Sequence, residues 1–443
     1  MPLSLDAVTL EIGSTITKSN GFVLEEGIFK HVAQGFAPTT VSDVSEGLLE
    51  AINSMEEAGN CSSDGAQAYI SSSAAGGLRV TVHGLTYNMT ARAAKEASLG
   101  AGANIKLITA GALSEYDLEE IEEINPNMII LAGGVDFGAR EPVLDNAVRL
   151  ASLDLQIPVI YCGNVALKRP LTKIFQNSLK DFSFVDNVFP DVDVLNVEPL
   201  RRKIQEVFSK HIVHAKGMEK VTRITNKPVL PVPAVVLKAA EIIYEAAGDV
   251  AIIDVGGATT DVHSVTEGSP KYADMLIEPE PFSKRTVEGD LGVFVNAANV
   301  ADLVKTKEKP DLNFLKAVPD TENEKNLTAS LCSTAVYTAI RRHAAVVSDL
   351  YTPTGRKQTI KGKDLSEVKY IIATGGALTR IPGGEEIIKK SCVDNSGKYL
   401  LPSQSAKILL DKNYLLSSLG LLSFEYPEEI KNTIKKWIGI KNE

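Results

Sequence analysis

Residues 252–264 read Ile252-Ile253-Asp254-Val255-Gly256-Gly257-Ala258-Thr259-Thr260-Asp261-Val262-His263-Ser264. Two β-branched runs flank a Gly-Gly pair, which predicts a β-hairpin whose tip is backbone and small hydroxyls. No Cβ stands over the glycines, so main-chain N–H groups can come close to an anion. Asp254 ends an apolar strand and can hold a cation through a water shell. Asp261 sits just past the tip. Phosphate and Mg²⁺ suit such a tip; an ordinary Gly-Gly hairpin is the other reading of the same residues.

The chain opens on a similar layout, Ala7-Val8-Thr9-Leu10-Glu11-Ile12-Gly13-Ser14-Thr15-Ile16-Thr17-Lys18. Each hairpin begins one half of the sequence. That repetition points to a duplicated fold with a cleft between its halves. A further Gly-Gly turn, Gly375-Gly376, ends the apolar run Tyr370-Ile371-Ile372-Ala373-Thr374. Its flat backbone suits the face of a nucleobase and sugar.

Between the hairpins, strands and helices alternate. Helices are predicted over about 39–58, 90–99, 114–124, 142–152 and 200–214, and strands near 69–73, 105–109, 128–138 and 158–164. Continuous apolar strands alternating with helices mean a parallel sheet covered on both faces. Ligands in such sheets sit at the carboxyl ends of strands, where Asp136 and Asn164 fall; both are also ordinary turn formers. A helix over 234–247 ends at Gly248, a C-cap residue. The expected domains are therefore 1–247, with a parallel α/β insertion at about 66–215, and 248–443. In the second, we expect a third strand at 272–277 and a charged loop, Lys284 to Gly292, entering a helix from about Val293. A helix over 333–350 would carry Arg341, Arg342 and His343 on a solvated face. The last helix, 427–438, would pack back towards the first domain.

The chain has 443 residues, 44% hydrophobic and 23% charged, with a net charge of −10. That length suits two domains or more. The acidic balance argues against a nucleic-acid partner. No run reaches the roughly 18 apolar residues a membrane span needs, and no signal peptide is evident. The four cysteines lack metal-ligand spacing, as in a reducing cytoplasm.

In order and spacing the three glycine turns resemble the two phosphate segments and the adenosine segment of the actin, sugar-kinase and heat-shock-chaperone ATPase superfamily. The resemblance implies an α/β fold class: two ribonuclease H-like domains of the actin type with a nucleotide cleft between them. Almost the whole chain also resembles the MutL (GlmL) family, which is not the mismatch-repair protein of that name. The residues that carry this likeness are Ser71 to Leu78, Leu131 to Asp136, Asp254 to Ser264, Lys284 to Gly292 and Thr374 to Gly376. It implies an ATP-dependent, chaperone-like reactivating factor whose partner is an adenosylcobalamin-dependent aminomutase of the glutamate or ornithine mutase type, with ATP and Mg²⁺ as cofactors. A small-molecule kinase and a nucleotide-binding scaffold that does not hydrolyse are the alternatives.

Carried over residue by residue, the resemblance assigns phosphate contacts to Gly13, Ser14, Thr15, Gly256, Gly257, Thr259 and Thr260. It assigns adenosine contacts to Gly375 and Gly376. Glu288, Gly289 and Asp290 would turn a helix start towards the nucleotide. Asp254 and Glu11 would face the metal, and Asp136 would orient the attacking water. Glu11 stands where the superfamily has Asp, which implies weak ATPase activity, with Glu11 and Asp136 the catalytic carboxylates.

Overall fold

The computed structural model describes residues 2–13, 16–40, 43–73, 78–212, 218–221, 224–305, 309–353 and 355–440. The chain divides into two compact units, Met1–Gly21 with Ala33–Ala234, and Phe22–Val32 with Val235–Glu443. The second unit therefore starts at Val235 rather than at 248. The reason is local packing within it: a Cβ on Gly420 would lie 1.9 Å from the Val235 carbonyl oxygen, and Glu245 pairs with Lys431 at 2.7 Å.

The first unit begins with strands β1 (Ala7–Ile12), β2 (Ile16–Glu25) and β3 (Ile28–Pro38), followed by helix α1 (Val44–Gly59). Glu26 and Gly27 join β2 to β3, and both have positive φ, as a tight two-residue hairpin turn demands. The outer part of that hairpin, Phe22–Val32, groups with the second unit. Helix α1 starts where Asp43 accepts the Ser45 N–H and stops at Asn60, whose φ is 44°. Its apolar face, Val44, Leu48, Ala51 and Met55, is buried.

Strand β4 (Gln67–Ser72) then pairs parallel with β1, Ala7 opposite Gln67 through Ile12 opposite Ser72. Next come β5 (Arg79–Gly84), β6 (Asn104–Ala110), helix α2 (Glu115–Ile124), β7 (Met128–Leu131), β8 (Val159–Tyr161), β9 (Phe182–Phe184) and β10 (Leu230–Pro231). Two sheets result, ordered β10-β4-β1-β2-β3 and β9-β8-β7-β5-β6. The first has three consecutive strands beside two parallel ones, the ribonuclease H-like order. The second is parallel throughout. The inserted sheet starts at β5, because β4 is bound into the first sheet. Ser114 caps α2 through a reciprocal capping box with Asp117. Under the parallel sheet, Ile121, Ile129, Leu131, Val143, Leu150 and Phe175 share one buried cluster.

The second unit repeats the plan. After helix α3 (Val232–Ala247) come β11 (Val250–Val255), β12 (Thr260–Val265), β13 (Ser283–Glu288), helix α4 (Glu322–His343), β14 (Ala345–Thr352), β15 (Gly355–Lys361), β16 (Tyr370–Thr374), β17 (Tyr399–Leu400), β18 (Lys407–Leu410) and helix α5 (Pro427–Ile438). The main sheet is ordered β13-β12-β11-β16-β18. β11, β12 and β13 are antiparallel, and β16 and β18 run parallel to β11. Leu331, Ala335 and Ala339 of α4 pack on Ile253, Val262 and Ile371 of that sheet. A smaller sheet, β15-β14-β17, stands beside it.

Four expectations are corrected here. The segment expected as a third strand, 272–277, lies mostly in a 3-10 turn, Pro270–Met275; the third strand is β13. Its Lys284 and Arg285 read as loop in the sequence, yet each has a buried anionic partner, Glu280 and Asp261. The long helix is α4, begun by a Thr321–Glu324 capping box, and residues 345–352 extend as a strand because β15 pairs along their whole length. The helix expected from Val293 spans Ala297–Leu303.

Candidate functional site

In the second unit, the Gly256 N–H donates to the Thr259 carbonyl at 2.9 Å and closes the hairpin tip. The chain after β13 then lies against that tip. Val293 N donates to Gly256 O, and Phe294 N and Val295 N donate to Gly257 O, at 3.2, 2.9 and 2.7 Å. Asn296 Nδ2 donates to the carbonyls of Ala258 and Gly289, both at 2.8 Å. The contact is so close that a Cβ on Gly292 would fall 2.2 Å from the Ala258 carbonyl carbon. All three tip carbonyls are thus turned to protein donors. Among the described residues, the N–H groups of Gly257 and Ala258 have no protein acceptor. A turn with its acceptors satisfied and its donors free is an anion cradle.

The threonines divide. Thr259 Oγ1 donates to Asp261 Oδ2 at 3.0 Å. Thr260 is fully buried and spends its hydroxyl on Leu291 O at 2.7 Å, so its side chain faces inward and braces the tip. Asp254 and Asp261 stand opposite each other on the β11–β12 ladder. Arg285, from β13, donates to Asp261 Oδ1. On its other side Asp254 faces Thr374.

Thr374 leads into the third glycine turn. Gly375 has φ of +87°, and a Cβ there would meet the Val255 carbonyl oxygen at 2.2 Å, so the two backbones touch. Gly376 starts a four-residue helical turn, Gly376–Thr379. Buried Asp411 accepts from Thr374 Oγ1 and from the N–H groups of Leu415 and Leu416. That fixes Tyr414, whose hydroxyl lies 3.1 Å from Thr379 Oγ1 and 3.3 Å from Arg380 Nε. A cavity of about 580 Å³ opens next to this turn, lined among others by Thr379, Arg380, Gly383, Glu386, Leu410 and Lys412.

Glu288 and Asp290 do not begin a helix. Glu288 ends β13, and both carboxylates bind Arg342 of α4, at 2.6 Å to Glu288 and 2.7 and 2.9 Å to Asp290. Arg342 holds the Asp290 carboxyl below its ordinary range. Gly289, between them, has open space where a Cβ would stand.

In the first unit, Gly13 N donates to Ile16 O at 3.2 Å and Thr39 Oγ1 donates to Gly13 O at 2.9 Å. Ser14 and Thr15 lie outside the described residues. Glu11 forms an ion pair with Lys18 at 2.7 Å, both side chains mostly covered. The ammonium suits a phosphate oxygen and the carboxylate a metal-bound water. Asp136 belongs to the loops of the parallel sheet. Its Oδ1 accepts from Val165 N and Asn187 Nδ2, both at 2.9 Å, so this carboxylate ties two loops together.

Among the described residues, no three His, Cys, Asp or Glu side chains gather as a metal cage. Mg²⁺ needs none: it keeps its waters and takes one or two carboxylates together with phosphate. Asp254, three residues before the first free N–H donor of the tip, fits that pattern. No helix among the described residues is long and apolar enough to cross a membrane.

Sequence reasoning passed over Lys18, Arg285, Asp411 and Tyr414, and it expected Arg342 and His343 on a solvated face, whereas Arg342 is ion-paired and His343 is buried. Lys18 had a signal, since Glu11 and Lys18 lie equally far from their turn with opposite charges. The others reach the site from elements whose extent the residue pattern hides.

Comparison with known proteins shows the family. The MutL protein family matches residues 7–438. Protein MutL of Clostridium tetanomorphum is 35% identical over 456 residues, covering 97% of this chain and 98% of that one. Component A of (R)-2-hydroxyglutaryl-CoA dehydratase from Acidaminococcus fermentans aligns over 97% of this chain and 98% of its own, at 9% identity and a TM-score of 0.32. A glycerol dehydratase reactivase aligns over 88% and 94%, at 10% identity and 0.29. Structural likenesses this loose do not bear on what the chain does.

Proposed function

The chain belongs to the MutL protein family, and from that premise we propose that it binds Mg-ATP, hydrolyses it slowly, and uses the cycle to reactivate an adenosylcobalamin-dependent aminomutase. The observation that carries this reading is the hairpin tip whose Gly257 and Ala258 N–H groups are free while its carbonyls are all engaged.

In this reading the two N–H groups hold a phosphate, while the Thr259 hydroxyl stays on Asp261 and keeps that carboxylate turned from the anion. Asp254 orients metal-bound water, with Arg285 neutralising Asp261 opposite it. Within the first unit, Lys18 offers positive charge to a phosphate and Glu11 a carboxylate to a metal's water shell. The Gly375–Gly376 turn, backed by Arg380 and Tyr414, takes the nucleoside. Bound Mg²⁺ spreads the phosphate charge, and phosphoryl transfer to water then depends on positioning and charge neutralisation more than on covalent help from side chains. Asp136 has no part in this scheme, because its carboxylate is used to join loops.

The Glu11–Lys18 pair favours a second reading, a nucleotide-binding scaffold, because a carboxylate already held by a cation is a poor metal partner. Titration calorimetry with Mg-ATP, phosphate release, and recovery of inactivated glutamate mutase distinguish the two. Binding with slow turnover and ATP-dependent recovery support the first. Binding without turnover or recovery supports the scaffold. No heat of binding up to millimolar Mg-ATP overturns both.

A further inference from the structure

In the first unit, three loops leave the carboxyl ends of β7, β8 and β9, the edge where parallel sheets place their ligand sites. They present Phe137, Val165, Val192 and Val194 to solvent, with 76%, 49%, 62% and 46% of their surfaces exposed. Phe137 does so with φ of +63°. Bulky residues avoid that region, and such strain persists only where the surroundings enforce it.

The surroundings here are three buried or half-buried polar side chains. Asn164, fully buried, accepts from the N–H groups of Phe137 and Ala166 at 2.9 and 3.0 Å and donates to the carbonyls of Gly138 and Ala139. Asp136 accepts from Val165 N and from Asn187 Nδ2, and its own N–H donates to Pro190 O. Asn187 also donates to Gly134 O and accepts from Phe189 N. Each loop is thus tied to the other two. An ordinary surface loop gains nothing from a rigid frame that holds a strained phenylalanine in water. A docking tip does, because its contact residues are already ordered before binding.

The rim identifies the occupant. The loop after β9, residues 185–197, contains Asp186, Asp191 and Asp193, without a lysine or arginine. Lys168 is drawn onto the Phe184 ring, 3.7 Å from its centroid, and Arg140 is the basic residue flanking Phe137. A second copy of this chain would set the same acidic loop against itself in a protein of net charge −10. We infer that this tip docks into an apolar pocket with a basic rim on a subunit of the partner enzyme. The inference rests on the reactivating function proposed above, and it assigns the recognition of the partner to Phe137 and Val192 rather than to the nucleotide-binding turns.

The test uses the full chain on a biosensor surface, with assembled glutamate mutase as the probe, in Mg-ATP and in Mg-ADP. Phe137→Gly relieves the φ strain, so its melting temperature and Mg-ATP affinity stay at or above those of the wild type. Its mutase Kd should rise about tenfold or more, as should that of Val192→Asp. The double variant Asp191→Lys/Asp193→Lys should slow association and flatten its salt dependence. Wild-type binding that none of these variants weakens overturns the tip while leaving the function standing. No wild-type binding in either nucleotide overturns both. Self-association of the wild type that Phe137→Gly abolishes would give the tip to a second copy and overturn the inference as stated.

Discussion

Arg285 reaches Asp261 from the neighbouring strand, and both donating nitrogens, Nε at 3.0 Å and Nη2 at 2.7 Å, meet the same carboxylate oxygen. The pair is buried and stands across the ladder from a second carboxylate, Asp254. Removing one partner of a buried pair leaves an uncompensated charge. Arg285→Met should therefore cost about 3–5 kcal/mol of folding stability in urea titrations. The double variant Arg285→Met/Asp261→Leu should recover most of that loss.

His343 is fully buried, with Nε2 2.7 Å from Ser264 Oγ and Nδ1 2.9 Å from Thr286 Oγ1. Burial first, then Lys284 and Lys363, hold it well below the ordinary histidine value of 6.5. Burial does the same to His263, and it lowers His83 to about 4. These rings stay neutral in the fold and protonate more readily in the unfolded chain. Stability is therefore complete above about pH 6.5 and falls as pH drops below it, by up to about 1.4 kcal/mol per pH unit for each ring. Urea titrations between neutral and mildly acid pH should show that slope. His343→Gln should flatten it by one proton's share.

The two kinds of glycine in the glycine turns should separate by substitution. Gly375→Ala combines positive φ with a 2.2 Å clash against the Val255 carbonyl, so about 2 kcal/mol or more of stability should go, and nucleotide binding with it. At Gly257 a Cβ meets only Phe294 Cβ at 3.5 Å. Gly257→Ala should therefore leave thermal melting unchanged and weaken Mg-ATP in calorimetry, because the methyl group crowds the anion rather than the protein.

Glu11 and Lys18 should act in opposite senses on the nucleotide. Lys18→Met removes a cation that suits a phosphate, and Mg-ATP should bind about tenfold more weakly, as for a lost charge-assisted hydrogen bond. Glu11→Asp draws the carboxylate back from Lys18 towards its own backbone. Phosphate release should then rise, because a carboxylate no longer held by Lys18 is available to a metal's water shell.

The hairpins were legible because strand, glycine turn and strand is a local pattern, and the position of the turn alone sets Asp254 against Asp261 and Glu11 against Lys18. The parallel sheet was legible from buried runs such as Met128–Leu131. What the residues hid was non-local. β13 carries Lys284 and Arg285, which look like loop residues until Glu280 and Asp261 are placed beside them. Asp136 read as a ligand-facing carboxylate because a strand-end acid looks the same whether it meets a ligand or two neighbouring loops. Glu288 and Asp290 read as a helix entrance because nothing in their own segment announces Arg342, which arrives from α4.

Helix α5 sits on residues that come from near the other end of the chain. Phe29 N donates to Thr433 Oγ1 at 2.9 Å, and the Phe29 ring stacks edgewise on Tyr426, 5.2 Å between centroids. A fragment cut to begin at Val235 would keep the Glu245–Lys431 pair but lose Phe29 from beneath that helix, and a fragment ending at Ala234 would carry the hairpin tip without Thr433 and Tyr426. Limited proteolysis or split-protein complementation should find that the halves survive only when both are present, with residues 22–32 travelling as the second half's missing piece.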